Sequence, residues 1–278
     1  MVFQIYPMLR GLWMAFTDYR FMKLNYEPFV GVGNFIEAFT DDMYFWQTFG
    51  RSLYFTAIYV LPMVFVALLC ASIIGLVKHA KVSGFYRTII YIPVILPVAV
   101  AMLMWREMFD PLYGFINHFI AGTLHMPQLR QKWLNDPKWT IPIVAIARIW
   151  KDMGFCTLLL IIGIYSINKE LYEAAEIDGA SALQQWRWIT IPLLKPTLTI
   201  VLVLYGSIAS AAENMMIMYQ QTFGPENSAL TLGYYYWVIA FRWGDMRMGY
   251  AAAMSLFLGV ISMIIAATIF RVLRTERA

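Results

Sequence analysis

Residues 173–196 read EAAEIDGASALQQWRWITIPLLKP, the longest polar and well-patterned segment in a chain that is otherwise mostly lipid-compatible. Small residues and one glycine between two helix-favouring runs predict a short helix, a tight turn and a second short helix. Gly179 is suited to the positive φ that such a turn demands. Asp178 beside it is expected to cap the following helix, and Glu173 to stand in the first turn of the preceding one. Pro192 and Pro196 are expected to stop the second helix before the chain re-enters an apolar run.

The spacing of Glu173-Ala174-Ala175, two residues, then Asp178-Gly179-Ala180, followed by Trp186, Ile189 and Pro192, resembles the EAA loop of ABC importer permeases. Two small departures are Trp186, where that family usually has Phe, and Ile191 before Pro192, where it has Leu. The resemblance implies a cytoplasmic loop that seats in a cleft of a separate ATP-hydrolysing subunit. The coupling residues it implies are Glu173, Ala174, Ala175, Asp178, Gly179, Ala180, Trp186 and Pro192. The plainer reading of the same residues is an amphipathic helix re-entering the membrane.

Composition agrees with a membrane-embedded class. Of 278 residues, 60% are hydrophobic and 14% charged, and mean hydropathy is +0.61. A soluble domain carries nearer a quarter charged residues. Cys70 and Cys156 both fall in apolar runs and read as small core residues. The histidines have no metal-ligand spacing. No glycine is followed by lysine, so there is no phosphate-binding Walker loop and no site here for ATP and magnesium. No nucleophile–base arrangement points to an enzyme.

Working outward, the apolar runs predict an all-α membrane protein with one permease domain over 1–278 and about six spans: 1–17, 54–77, 88–105, 139–167, 197–219 and 248–270. The first is short and interrupted by Arg10. Because the family begins further upstream, the chain is expected either to start earlier or to have this span shortened. Pro93 and Pro97 predict a kink or a break in the third span. The segment 220–247 reads as a polar outer loop. Gly31-Val32-Gly33-Asn34-Phe35 and Gly224-Pro225 resemble outer loops of the same family. With the EAA loop inside, the Lys78 connector, the loop itself and the arginine-rich tail (Arg271, Arg274, Arg277) make the inner side the more densely basic one. The tail therefore needs no nucleic-acid partner.

The intramembrane charges are the candidate substrate path. Arg148, Lys151 and Asp152 fall within roughly a 100° arc of the fourth span, with Arg148 and Asp152 spaced to pair at i, i+4. Gly206, Ser210 and Glu213 of the fifth span share one narrow stripe. Charges at such depth cost about 2.5–3.5 kcal/mol each unless they face protein or water. One reading is an ion-pair cluster that locks helices; the other is a polar path for a neutral polyol. Resemblance implies sugar-facing positions at Arg148, Lys151 and Asp152, near Gly206, Ser210 and Glu213, and at Val94 and Val98. It implies the permease subunit of an ATP-driven importer for a sugar, oligosaccharide or polyol in a bacterial or archaeal inner membrane. Its partners would be a second permease, two ATPase subunits holding ATP and magnesium, and an extracytoplasmic solute-binding protein. A stand-alone secondary transporter with protonatable buried carboxylates is the alternative, and it has no use for the 173–196 loop.

Overall fold

The computed structural model describes residues 2–23, 26–77, 79–207 and 211–273. Among them the secondary structure is helical, save an isolated antiparallel bridge between Thr17 and Phe29. The helices are α1 (Val2–Met14), α2 (Gly33–Thr40), α3 (Phe45–Gly75), α4 (Ala80–Ile95), α5 (Val98–Met108), α6 (Phe115–His118) and α7 (Pro137–Tyr165). Then come α8 (Lys169–Ile177), α9 (Ala182–Gln185), α10 (Ile191–Leu193), α11 (Lys195–Tyr205), α12 (Ala211–Met218), α13 (Leu232–Phe241) and α14 (Met248–Leu273). A π-helical turn over Trp186–Thr190 joins α9 to α10.

Of the six expected spans, two stand as single helices: among the described residues, α3 (31 residues) and α14 (26 residues) are uninterrupted and apolar enough to cross a bilayer, and up to four spans result if two bent pairs each count as one. The reasons are local. At 13 residues, α1 rises only about 20 Å, short of the hydrocarbon thickness. The third run breaks at Leu96-Pro97, where α4 and α5 meet at 95°. A proline lacks the N–H that would continue the ladder and pushes the preceding residue to extended backbone, as Leu96 shows with ψ 135. The fifth run breaks at Gly206, the C-cap of α11. α7 is long enough at 29 residues but carries Lys138, Arg148, Lys151 and Asp152.

The chain divides into two compact units. The first comprises residues 1–57, 102–145 and 208–263. Its core is aromatic: Phe39, Phe45, Phe49 and Phe257 meet edge-on or stacked, with centroids 5.2–6.4 Å apart. Buried Asn34 donates to the carbonyls of Ala15 and Thr17, both at 2.9 Å, so the asparagine after Gly33 ties α2 to the end of α1. The segment read as a polar loop contains α13, whose Tyr234, Tyr235, Val238 and Ile239 are buried. Its apolar body was hidden by tyrosines, which bury their rings while keeping the hydroxyl bonded.

The second unit comprises residues 58–101, 146–207 and 264–278. Two glycines bring its helices into close contact. A Cβ on Gly154 would lie 2.3 Å from the carbonyl oxygen of Ile90 and 2.9 Å from Val94 Cγ2, so α7 meets α4 backbone to backbone. One on Gly163 would lie 2.5 Å from Thr197 Oγ1, where α7 crosses the start of α11. Small residues at such crossings let membrane helices approach closely.

Candidate functional site

The 173–196 segment folds as helix, turn and helix. Asn168 caps α8 by accepting from the Glu170 amide, 3.0 Å away, so the helix begins four residues before Glu173. Glu173 is therefore in mid-helix, exposed, rather than in the first turn. Gly179 has φ +79, as the turn required. The cap of the second helix is Ser181, not Asp178: Ser181 and Gln184 form a reciprocal capping box. Asp178 is instead the C-cap of α8, its amide donating to Ala174 O. Pro192 does not stop the helix. It sits in the first turn of α10, and Pro196 likewise in the first turn of α11, where a missing N–H costs nothing.

Two side-chain bonds hold this hairpin. Tyr172 Oη and Thr190 Oγ1 lie 2.9 Å apart, joining α8 to the π-helical turn. Trp186 Nε1 donates to Ser72 Oγ at 2.8 Å, anchoring the hairpin to α3. Trp186 thus points into its own chain. Its neighbour Trp188 is 71% exposed, Ile177 87% and Leu183 72%. A cavity of about 360 Å³ opens here, lined by Ala175, Asp178, Gly179, Ala180, Gln184 and Trp188 among others. Of the residues expected to couple, Ala175, Asp178, Gly179 and Ala180 line it; Glu173, Ala174, Trp186 and Pro192 do not. Trp188 was missed, although a second tryptophan two positions after the first was its visible signal.

The charges of α7 meet as the i, i+4 spacing requires. Arg148 Nε pairs with Asp152 Oδ2, Lys151 Nζ stands 3.7 Å from Asp152 Oδ1, and Tyr59 Oη donates to Asp152 Oδ2 at 2.6 Å. Lys151, Asp152 and Tyr59 are buried at 8%, 6% and 1% exposure. The Tyr205 ring, on the last residue of α11, closes edge-on against Tyr59, centroids 6.4 Å apart. The cluster therefore joins α3, α7 and the end of α11. Sequence reading missed Tyr59, whose signal was a phenol inside the apolar run 54–77.

The remaining path positions are separate features. Gly206 and Glu213 do not share one helix face, because α11 ends at Tyr205 and Glu213 belongs to α12. Gly206 is buried at the end of α11; Ser210 lies outside the described residues; Glu213 is exposed in the first turn of α12. Val94 is part of the α4–α7 contact through Gly154, and half-buried Val98 opens α5.

The first unit carries a polar constellation of its own. Arg20 grips Asp18 with Nε and Nη2 and reaches Asp245 at 3.0 Å, which Lys23 also approaches at 3.2 Å. Arg247 holds Glu37 through two bonds of 2.6 and 2.7 Å. Asp42 accepts from both Tyr235 and Tyr250. The Arg20 hydrogen bond, with Lys23, holds the Asp245 carboxyl below the usual carboxylate range, and the same Arg20 is raised above its ordinary value chiefly by its bond to Asp18.

These features define a helical membrane protein with an exposed hairpin between α7 and α11. Residues 63–275 match the family described as binding-protein-dependent transport system inner membrane component, and the chain belongs to that family. It is 30% identical over 262 residues to the lactose transport system permease protein LacF of Rhizobium radiobacter, covering 91% of this chain and 83% of LacF. Identity to the sulfoquinovosyl glycerol transport system permease protein SmoG of Agrobacterium fabrum is 29%, over 98% of this chain and 85% of SmoG. Among solved structures, a chain of a bacterial alginate ABC transporter, crystallised with an alginate pentasaccharide-bound periplasmic protein, superposes with TM-score 0.83 at 26% identity. That match covers 99% of this chain and 91% of the transporter chain. The protein is a membrane permease subunit of an ABC importer, not an enzyme.

Proposed function

We propose that this permease carries a saccharide or polyol across a bacterial or archaeal inner membrane. It would pair with a second permease, two cytoplasmic ATPase subunits that bind ATP and magnesium, and an extracytoplasmic solute-binding protein. The observation that carries the coupling part is the exposed hairpin with its cavity at Ala175, Asp178, Gly179, Ala180 and Trp188. Large apolar side chains left open beside a concave polar–apolar cavity are what a protein partner covers. In this reading the 173–196 loop seats in the ATPase, and Glu173, exposed on α8, pairs with a basic residue of that subunit. The kinship with permeases named for lactose and for sulfoquinovosyl glycerol supports a glycan or polyol cargo.

Arg148, Lys151 and Asp152 are proposed to face the cargo, with Gly206, Ser210, Glu213, Val94 and Val98 as further path positions. Asp152 already accepts from Tyr59 and pairs with Arg148, so it acts on the cargo mainly by orienting Arg148 and Lys151. The same engagement weakens the proton-coupled alternative, which needs a carboxylate free to take a proton. The test is co-purification of this chain with an ATPase subunit and saccharide-stimulated ATP hydrolysis by the complex. Removing the hairpin's docking surface with Trp188→Glu should abolish ATPase association while the permease still folds. Normal association would refute the assignment.

A further inference from the structure

We propose that Lys151 selects a cargo bearing an anionic group, a carboxylate, sulfonate or phosphate carried on the sugar. This rests on the saccharide-importer reading above and adds the charge class of the substrate. The argument is a count of partners. Asp152 is one carboxylate, and Arg148 pairs with it while Tyr59 donates to it at 2.6 Å. Lys151 stands 3.7 Å from the same carboxylate, beyond hydrogen-bond reach. Among the described residues its ammonium has no hydrogen-bond acceptor.

The Lys151 side chain is only 10% exposed, so its charge is largely withdrawn from solvent. Two cations share one anion, and one positive charge is left over on α7, a helix of the transmembrane region. Buried charges are retained where a partner of opposite sign completes them. An ammonium offers three rotatable donors as a compact point charge, suited to a carboxylate, sulfonate or phosphate oxygen in any orientation. A neutral polyol would satisfy its donors and leave its charge; an anionic sugar satisfies both. Lys151 also lies on the same arc of α7 as Arg148, so the second cation of the cluster is close to the same ligand.

The test uses the complete complex in proteoliposomes with its solute-binding protein. The probes are neutral saccharides (lactose, trehalose, diacetylchitobiose) and anionic ones (oligouronates, sulfoquinovosyl glycerol). Anionic probes should stimulate ATP hydrolysis and uptake. Lys151→Met should lower their uptake roughly ten- to hundredfold, with affinity for the isolated binding protein unchanged, and Lys151→Arg should restore most of it. Stimulation by neutral probes alone, or wild-type uptake of an anionic probe by Lys151→Met, would overturn the inference while leaving the importer reading standing. No response to any saccharide would overturn both. Should Lys151→Met fail to assemble, the wild-type probe comparison decides alone.

Discussion

At the scale of single residues, Asp152 shows how far helical spacing reaches. Its pairing with Arg148 follows from the i, i+4 rule alone, because both partners sit on one helix. The bond from Tyr59 joins residues 93 positions apart, and no local pattern announces it. That bond has a measurable value. Tyr59→Phe keeps the ring against Tyr205 and removes one hydrogen bond to a charged acceptor, so the purified protein should lose about 1.5–3 kcal/mol of stability; an unchanged thermal midpoint would show that the phenol's role is packing alone. Gly154 makes a harsher forecast, since its missing Cβ is where the Ile90 carbonyl sits. Gly154→Val must push α7 from α4, and overpacking of this kind costs about 1–3 kcal/mol or more, read as lost expression or a lowered midpoint. Asp245 provides the pH test. Its folded pKa is depressed by Arg20 and Lys23, so its contribution is present above the unfolded carboxylate value of about 4 and is lost as pH falls through the lower folded value. Asp245→Asn should flatten that acidic decline in thermal stability, and high salt should shrink the difference.

Among the elements, the 173–196 hairpin was the most legible and its details the least. Gly between helix formers demanded a turn, and Gly179 takes it at φ +79. The caps were misassigned because Asp, Asn and Ser are all good N-caps; the Ser181-x-x-Gln184 spacing was the better signal, a capping box that Asp178 does not have. The two tryptophans then divide the labour. Trp186 is held by Ser72 within the chain, whereas Trp188 is open beside the cavity. Trp186→Phe should therefore lower permease stability by roughly 1 kcal/mol for one hydrogen bond and leave ATPase affinity nearly unchanged, measured by pull-down after detergent extraction. Gly179→Val adds a Cβ that meets nothing within 4 Å, so its cost is backbone strain alone, about 1–3 kcal/mol, localised in the turn. It should weaken ATPase binding without loss of expression; loss of expression would assign the glycine to packing instead. The broken third and fifth runs were half legible. Pro97 predicted the first break, but the end of α11 at Gly206 had no proline to mark it, and the stripe argument failed with it.

For the whole molecule, hydropathy identified the membrane class and undercounted the interruptions. Apolar content measures what lipid tolerates, not whether the backbone stays straight: the break expected at Pro93 and Pro97 bends α4–α5 by 95°, whereas the early end of α11 was not foreseen. The buried α13 failed the opposite way, its tyrosines reading as loop. The orientation of the chain is the property that hydropathy leaves open and charge decides. Basic residues concentrate at the connector before α4, in the 173–196 hairpin and in the tail, and the positive-inside rule predicts that these segments lie in the cytoplasm. Reporter positions must be exposed in the fold itself, which rules out Ser83, buried at 4% and bonded to Arg87. Lys81, Leu183 and Gln128 are exposed and suit the purpose. In a background lacking Cys70 and Cys156, a cysteine at Gln128 should react with an impermeant maleimide in intact cells, while cysteines at Lys81 and Leu183 should react only after permeabilisation. If the ATPase covers the hairpin, Leu183→Cys should stay protected even then, until the subunit is stripped away, whereas Lys81→Cys becomes labelled at once. Labelling of Leu183→Cys from outside would reverse the orientation and remove the ATPase from the only side where ATP is present.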